Sequence, residues 1–195
     1  MKTESVGRWE HYLLLRASQL EAFWRYHLEA ASRNILFIIG RGFDPRMCMG
    51  LELVLRVGGN GARDILGLDF REGQKSPSLN HHPKVQENWA KVVALGESRG
   101  KISIMPVEFW SPEGRRISSQ SARELFVSDE PLKGYNDIVV DISSMPRSVY
   151  FPLIARLLYL LDHRPQRSTE PINLYVLVAE DPELDANIHE EGIDE

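Results

Sequence analysis

Two short segments hold residue types that bind anions. One is Gly40-Arg41-Gly42-Phe43-Asp44-Pro45-Arg46; the other is Asp141-Ile142-Ser143-Ser144-Met145-Pro146-Arg147. Each sets a small or capping residue just before a Pro-Arg pair. Asp44 suits an N-cap, and proline suits the first position of a helix. A helix start offers free amides and a partial positive charge. Arginine adds a planar fork of donors matched to phosphate or carboxylate. The chemistry that this pattern supports is capture of a phosphorylated ligand by Gly40, Arg41, Gly42, Asp44, Arg46, Ser143, Ser144 and Arg147.

Acidic residues flank these turns. Asp69 follows an apolar run, the place where an acid often binds a ribose hydroxyl, and is the ribose candidate. Asp141 ends another run and is placed to orient Arg46 or Arg147, or to bind Mg²⁺. Glu108 ends a third, and Arg71 and Glu72 follow Asp69. Other signals point away from common chemistries. Gly40-x-Gly42 lacks the third glycine of the dinucleotide fingerprint. His81 and His82 are adjacent, so they do not share one ligand as an i, i+4 pair does, and no Cys/His cluster marks zinc. No metal site is assigned. Cys48 reads as a core thiol inside a helix. There is no GxSxG elbow and no P-loop lysine.

The elements around these turns follow from periodicity. Trp9 to Ser32 reads as an amphipathic helix with Trp9, Leu13, Leu20, Phe23, Trp24 and Leu28 on one face. Ile35–Ile39 is a continuous apolar run, the mark of a strand covered on both faces. Met47, Leu51, Val54 and Leu55 then form a helical face that Gly58-Gly59 closes. Asp64–Phe70 is a second strand, and the polar stretch to His82 is a loop. A helix starts at Pro83 and carries Val85, Trp89, Val92 and Val93. Lys101–Trp110 is a third strand, placed at an edge or a bulge by Pro106. Ser111–Arg116 is a turn or small hairpin, and Ser121 has capping-box spacing to Glu124. Asp137–Ile142 is a fourth strand, followed by an apolar helix through Leu161. Ile172–Val178 is the fifth.

Strands alternating with helices give a parallel sheet with right-handed crossovers. The expected fold class is therefore α/β: a Rossmann-like three-layer sandwich of about five mostly parallel strands with an N-terminal helix. Strand order 3-2-1-4-5 is favoured, with 2-1-3-4-5 as the alternative. In the first order the two Pro-Arg turns meet at the point where the chain reverses direction across the sheet. Residues 1–33 are expected as a helix packed on the domain, 34–180 as the domain, and 181–195 as an acidic tail.

Composition limits the function. The chain has 195 residues and a net charge of −5, which argues against general nucleic-acid binding. Its longest apolar segment, broken by Pro152 and Arg156, is too short to span a membrane. One cysteine excludes an internal disulfide and fits a reducing, cytoplasmic setting. The chain also fits a piece cut from a longer protein.

The segment Ile38 to Arg46 resembles the first motif of carboxyl-type S-adenosylmethionine methyltransferases, a glycine turn followed by aspartate and arginine. Asp69-Phe70-Arg71 departs from the acid-proline that those enzymes carry after strand two, and DISSMPR departs from their fourth motif. The pair GFDPR and DISSMPR also resembles uncharacterised bacterial α/β proteins, some of them associated with antiviral defence gene clusters. The leading expectation is a sensor or regulatory module that binds a nucleotide or other phosphorylated small molecule at the carboxyl ends of strands one and four. The alternatives are a nucleotide-processing enzyme, a methyltransferase, and a protein-interaction domain using the Trp9/Trp24 helix. No cofactor is identified, and the sequence leaves open whether a reaction is catalysed.

Overall fold

The computed structural model describes residues 12–74, 76–164 and 171–182. Strand β1, Ile35–Gly40, is buried along its whole length. Each of its large apolar side chains contributes about 1.5–3 kcal/mol by leaving water. The other strands are β2 (Arg63–Arg71), β3 (Ile102–Glu108), β4 (Asp137–Asp141) and β5 (Asn173–Leu177). All pair in parallel, in the order β3-β2-β1-β4-β5. β1 is central because it alone is apolar on both faces throughout. β3 lies at one edge, where Pro106 needs no partner for an amide that it lacks.

Helices cover both faces. On one side α1 (Ser18–Ala30), α2 (Met49–Val57) and α3 (His82–Gly96) enclose Trp24, Phe37, Leu51, Val54 and Val92. On the other, α4 (Ser118–Glu124) and α5 (Arg147–Asp162) enclose Ile38, Leu68, Phe126, Val140 and Leu157. This is the three-layer, Rossmann-like α/β sandwich that the alternation of elements predicts. Among the described residues no helix is long and apolar enough to cross a membrane.

Several local expectations are corrected. Helix α1 starts at Ser18, and residues 12–17, expected within it, are not helical. Tyr12, Leu13 and Leu14 are exposed, so helical spacing there finds no core to pack on. Trp9 lies outside the described residues, as does the acidic tail from 183 onward. Trp24 is fully buried beside Phe23 and Tyr175, so its ring is core and not an open interface. Pro45 opens a 3-10 turn, Pro45–Cys48, that precedes α2. Ser121 lies inside α4, where its hydroxyl accepts the Glu108 amide at 2.9 Å and so satisfies the end of edge strand β3.

The amino edge of the sheet is locked by a network that periodicity does not reveal. Asp137 is fully buried and accepts from Arg33 at 2.6 and 2.9 Å and from Asn173 at 2.9 Å. His27 Nε2 of α1 lies 3.2 Å from the same carboxylate. Burial alone pushes this acid upward, but the hydrogen bonds from Arg33 and Asn173 and the charge and hydrogen bond of His27 outweigh it and hold it below its ordinary value.

Candidate functional site

The strand order makes β1 and β4 neighbours, so both Pro-Arg turns leave the carboxyl edge of the sheet side by side. They touch. Ser144 Oγ donates to the Gly40 carbonyl at 2.7 Å. A Cβ on Gly42 would stand 2.8 Å from Ser144 Cβ, and one on Gly40 would stand 2.9 Å from both Met145 Cγ and Phe70 Cζ. Glycine at 40 and 42 is thus required by the close approach of the second turn.

The two turns differ in what remains available. After β1, the Arg41 amide donates to Leu68 and the Gly42 amide to the Gly40 carbonyl. Asp44 accepts the Arg46 amide at 2.9 Å, as an N-cap should. The same carboxylate takes the Arg46 side chain, with Nη2 to Oδ2 at 2.7 Å. The amides of Arg41, Gly42 and Arg46 and the Arg46 guanidinium are therefore engaged within the protein. At the second turn, α5 begins after Pro146 with no side-chain cap. Arg147 is exposed, and its guanidinium pairs with no described residue.

Asp69 does not stand open. Arg41 Nη1 reaches it at 2.7 Å and Arg71 Nε at 2.7 Å, while the Arg41 guanidinium lies 5.0 Å from the Trp89 ring centroid. Asp141 is 1% exposed. Its Oδ1 accepts from the Ser143 amide at 3.0 Å and the Ser143 hydroxyl at 2.6 Å. Ser143 Oγ in turn accepts the Ala179 amide at 2.9 Å. Asp141 therefore orients the Ser143 turn and neither arginine, because Asp44 already holds Arg46. Burial pushes the Asp141 carboxyl up to about 6, against the Ser143 hydrogen bonds and with help from the charge of Asp44. Its Oδ2 has no partner and would lie 2.5 Å from a Cβ at position 50, so Gly50 makes room for it.

Asp141 Oδ2 is one of several such atoms. Arg41 Nε, Asn88 Oδ1 and Ser148 Oγ are also buried without hydrogen-bond partners. Asn88 is bound to the first turn through Nδ2, which donates to the Gly42 and Asp44 carbonyls at 3.2 Å. Ser148 lies in the first turn of α5. Arg41 follows β1, Asp141 ends β4, Asn88 of α3 bonds to the turn after β1, and Ser148 belongs to the helix after β4; Trp24 Nε1, in α1, is in the same state away from them. Among the described residues no three of His, Cys, Asp and Glu come together as a metal-holding group. Cys48 is buried and its thiol is pushed up to about 11, chiefly by burial, which leaves it unreactive at neutral pH.

The sequence singles out neither Asn88 nor Ser148, nor the loop residues Ser76, Trp110 and Arg116. The signal for the last three is their position in long connections at the carboxyl edge of the sheet, where binding loops collect.

No protein-family model matches the chain. No curated protein matches it. Among solved structures it is similar to a universal stress protein in complex with cAMP, at 12% identity and a TM-score of 0.36, over 76% of this chain and 98% of that one. Strand order and layering, not that likeness, define the fold.

Proposed function

We propose that the carboxyl end of the sheet, between the Gly40–Arg46 and Ser143–Arg147 turns, binds a nucleotide or other phosphorylated small ligand as a sensor or regulatory module. One observation carries the reading: two buried donors without partners, Arg41 Nε and Ser148 Oγ, lie in and just after these turns. A buried polar atom without a partner costs about 1–3 kcal/mol, and a ligand that pairs it recovers that cost. Arg41 Nε, Ser148 Oγ and the uncapped start of α5 all donate to an anion, and the exposed Arg147 adds a full charge. The phosphate seat lies toward α5, because Asp44 occupies the amide and guanidinium of Arg46. Asp69, near the end of β2, takes the ribose in this reading once Arg41 or Arg71 turns to the ligand.

The test is calorimetric titration with nucleoside diphosphates, pyrophosphate and S-adenosylmethionine, followed by mass spectrometry of the recovered ligand. Binding of a diphosphate that is recovered unchanged is the expected result. Turnover of the nucleotide would favour a processing enzyme. Tight S-adenosylmethionine binding with no affinity for pyrophosphate would overturn the phosphate reading.

A further inference from the structure

Two connections flank the carboxyl ends of β2 and β3; their described residues here are 72–74, 76–77 and 109–116. Between them lies a cleft of about 600 Å³ lined by Glu72, Ser76, Pro77, Phe109, Trp110 and Arg116. That size is within the roughly 300–1,000 Å³ of small-molecule sites. Its walls are tied together. Trp110 Nε1 donates to the Glu72 carbonyl at 3.0 Å, which joins one loop to the other. Trp110 and Arg116 pair across the hairpin, and Ser76 Oγ donates to Glu72 Oε2 at 2.5 Å.

These contacts leave groups of a particular kind available. Trp110 is 48% exposed although its one polar atom is satisfied, so what remains open is aromatic surface. Such a ring, held in place by its own hydrogen bond, is a stacking platform. Arg116 is exposed, and its guanidinium pairs with no described residue. Glu72 spends one carboxylate oxygen on Ser76. An aromatic face, a forked donor and a carboxylate acceptor complement the face and the polar edges of a nucleobase.

We infer that this cleft holds the base of a nucleotide, whose phosphates reach the α5 side of the sheet. The inference rests on the proposed function for its phosphate end, and on the cleft alone for its base end. The β2–β3 rim is two strands away from the β1–β4 rim. At about 4.8 Å per strand the separation is about 10 Å, the reach of one nucleotide from base to phosphate. Asp69 lies near the carboxyl end of β2, on the path from one rim to the other.

The experiment titrates the full chain with guanosine, adenosine, their 5′-diphosphates and pyrophosphate. It compares wild type with Trp110→Ala, Trp110→Phe and Arg147→Ala. Losing the stacking platform should weaken nucleosides and diphosphates about tenfold or more and leave pyrophosphate unchanged. Trp110→Phe, which keeps an aromatic face, should restore most of the affinity. Arg147→Ala should weaken pyrophosphate and diphosphates and leave nucleosides alone. Unchanged diphosphate affinity in Trp110→Ala, with loss in Arg147→Ala, overturns the base cleft and leaves the phosphate site standing. Nucleoside binding that depends on Trp110, with no binding of pyrophosphate, supports the cleft and overturns the phosphate site. No binding of any probe overturns both.

Discussion

The hydroxyl of Ser144 donates to the carbonyl of Gly40 at 2.7 Å, joining the turn after β4 to the turn after β1. The contact is tight enough to exclude a methyl group at position 42. Gly42→Ala should therefore destabilise the protein by about 1–3 kcal/mol, the usual cost of overpacking. Ser144→Gly in the same chain should recover part of it, since the nearest clashing atom is Ser144 Cβ. Urea denaturation of the two single variants and the double variant checks this. Strictly additive losses would mean that the two turns are not coupled.

Arg46 and Arg147 occupy matching sequence positions but should respond differently to removal. Arg46→Ala takes a guanidinium from Asp44, which also caps the turn, and should lower stability by about 1–2 kcal/mol. Arg147→Ala should leave the melting temperature unchanged, because its side chain is exposed and unpaired with the described residues. It should instead weaken a phosphorylated ligand by about 1.5–3 kcal/mol, and lysine should rescue only part of that. Melting temperature and affinity measured on both variants settle the matter. A large stability loss from Arg147→Ala with unchanged affinity would remove the reason for placing the ligand there.

Asp141 makes stability depend on pH. Its carboxyl is pushed up to about 6 in the folded protein, above the 3.8 of the free group. The folded state thus binds more protons than the unfolded one between those values. Stability from this group falls as pH rises through that window, and the full cost is present above it. The cost is about 3 kcal/mol at most, at 1.36 kcal/mol per pH unit. Asp141→Asn should flatten the decline between about pH 4 and 6 in denaturant titrations. A variant that keeps the wild-type slope would assign the dependence to another group.

At the opposite edge, Arg33→Ala takes the guanidinium from a fully buried carboxylate and leaves it with Asn173 and His27. The expected loss is about 3–5 kcal/mol, the range for removing one partner of a buried pair. Arg33→Ala with Asp137→Asn should be less destabilised than Arg33→Ala alone. The sign of the pH effect is opposite to that of Asp141. Asp137 is held low, so its stabilisation is present at neutrality and is lost as pH falls through its folded value. Equilibrium unfolding of the wild type and the two variants, at pH 7 and at falling pH, measures both effects.

Local chemistry alone determined much of this protein. The apolar run of β1, the Asp44 cap, the proline of β3 and the alternation of strand with helix are each set by neighbours within a few residues, so the layered sheet could be read from the chain, with two strand orders left open of which the structure adopts the favoured one. Tertiary structure decided what those residues do. Arg46 folds onto Asp44, Arg41 onto Asp69 and Asp141 onto Ser143, while Arg147 projects outward. Sequence spacing does not distinguish an arginine bound to a carboxylate from one left for a ligand. The pairing of Asp137 with Arg33 spans 104 residues, and Trp24 and Trp110 carry the same ring into the core and onto a cleft. Burial and partnership of this kind arise only when strands distant in the chain come to lie side by side.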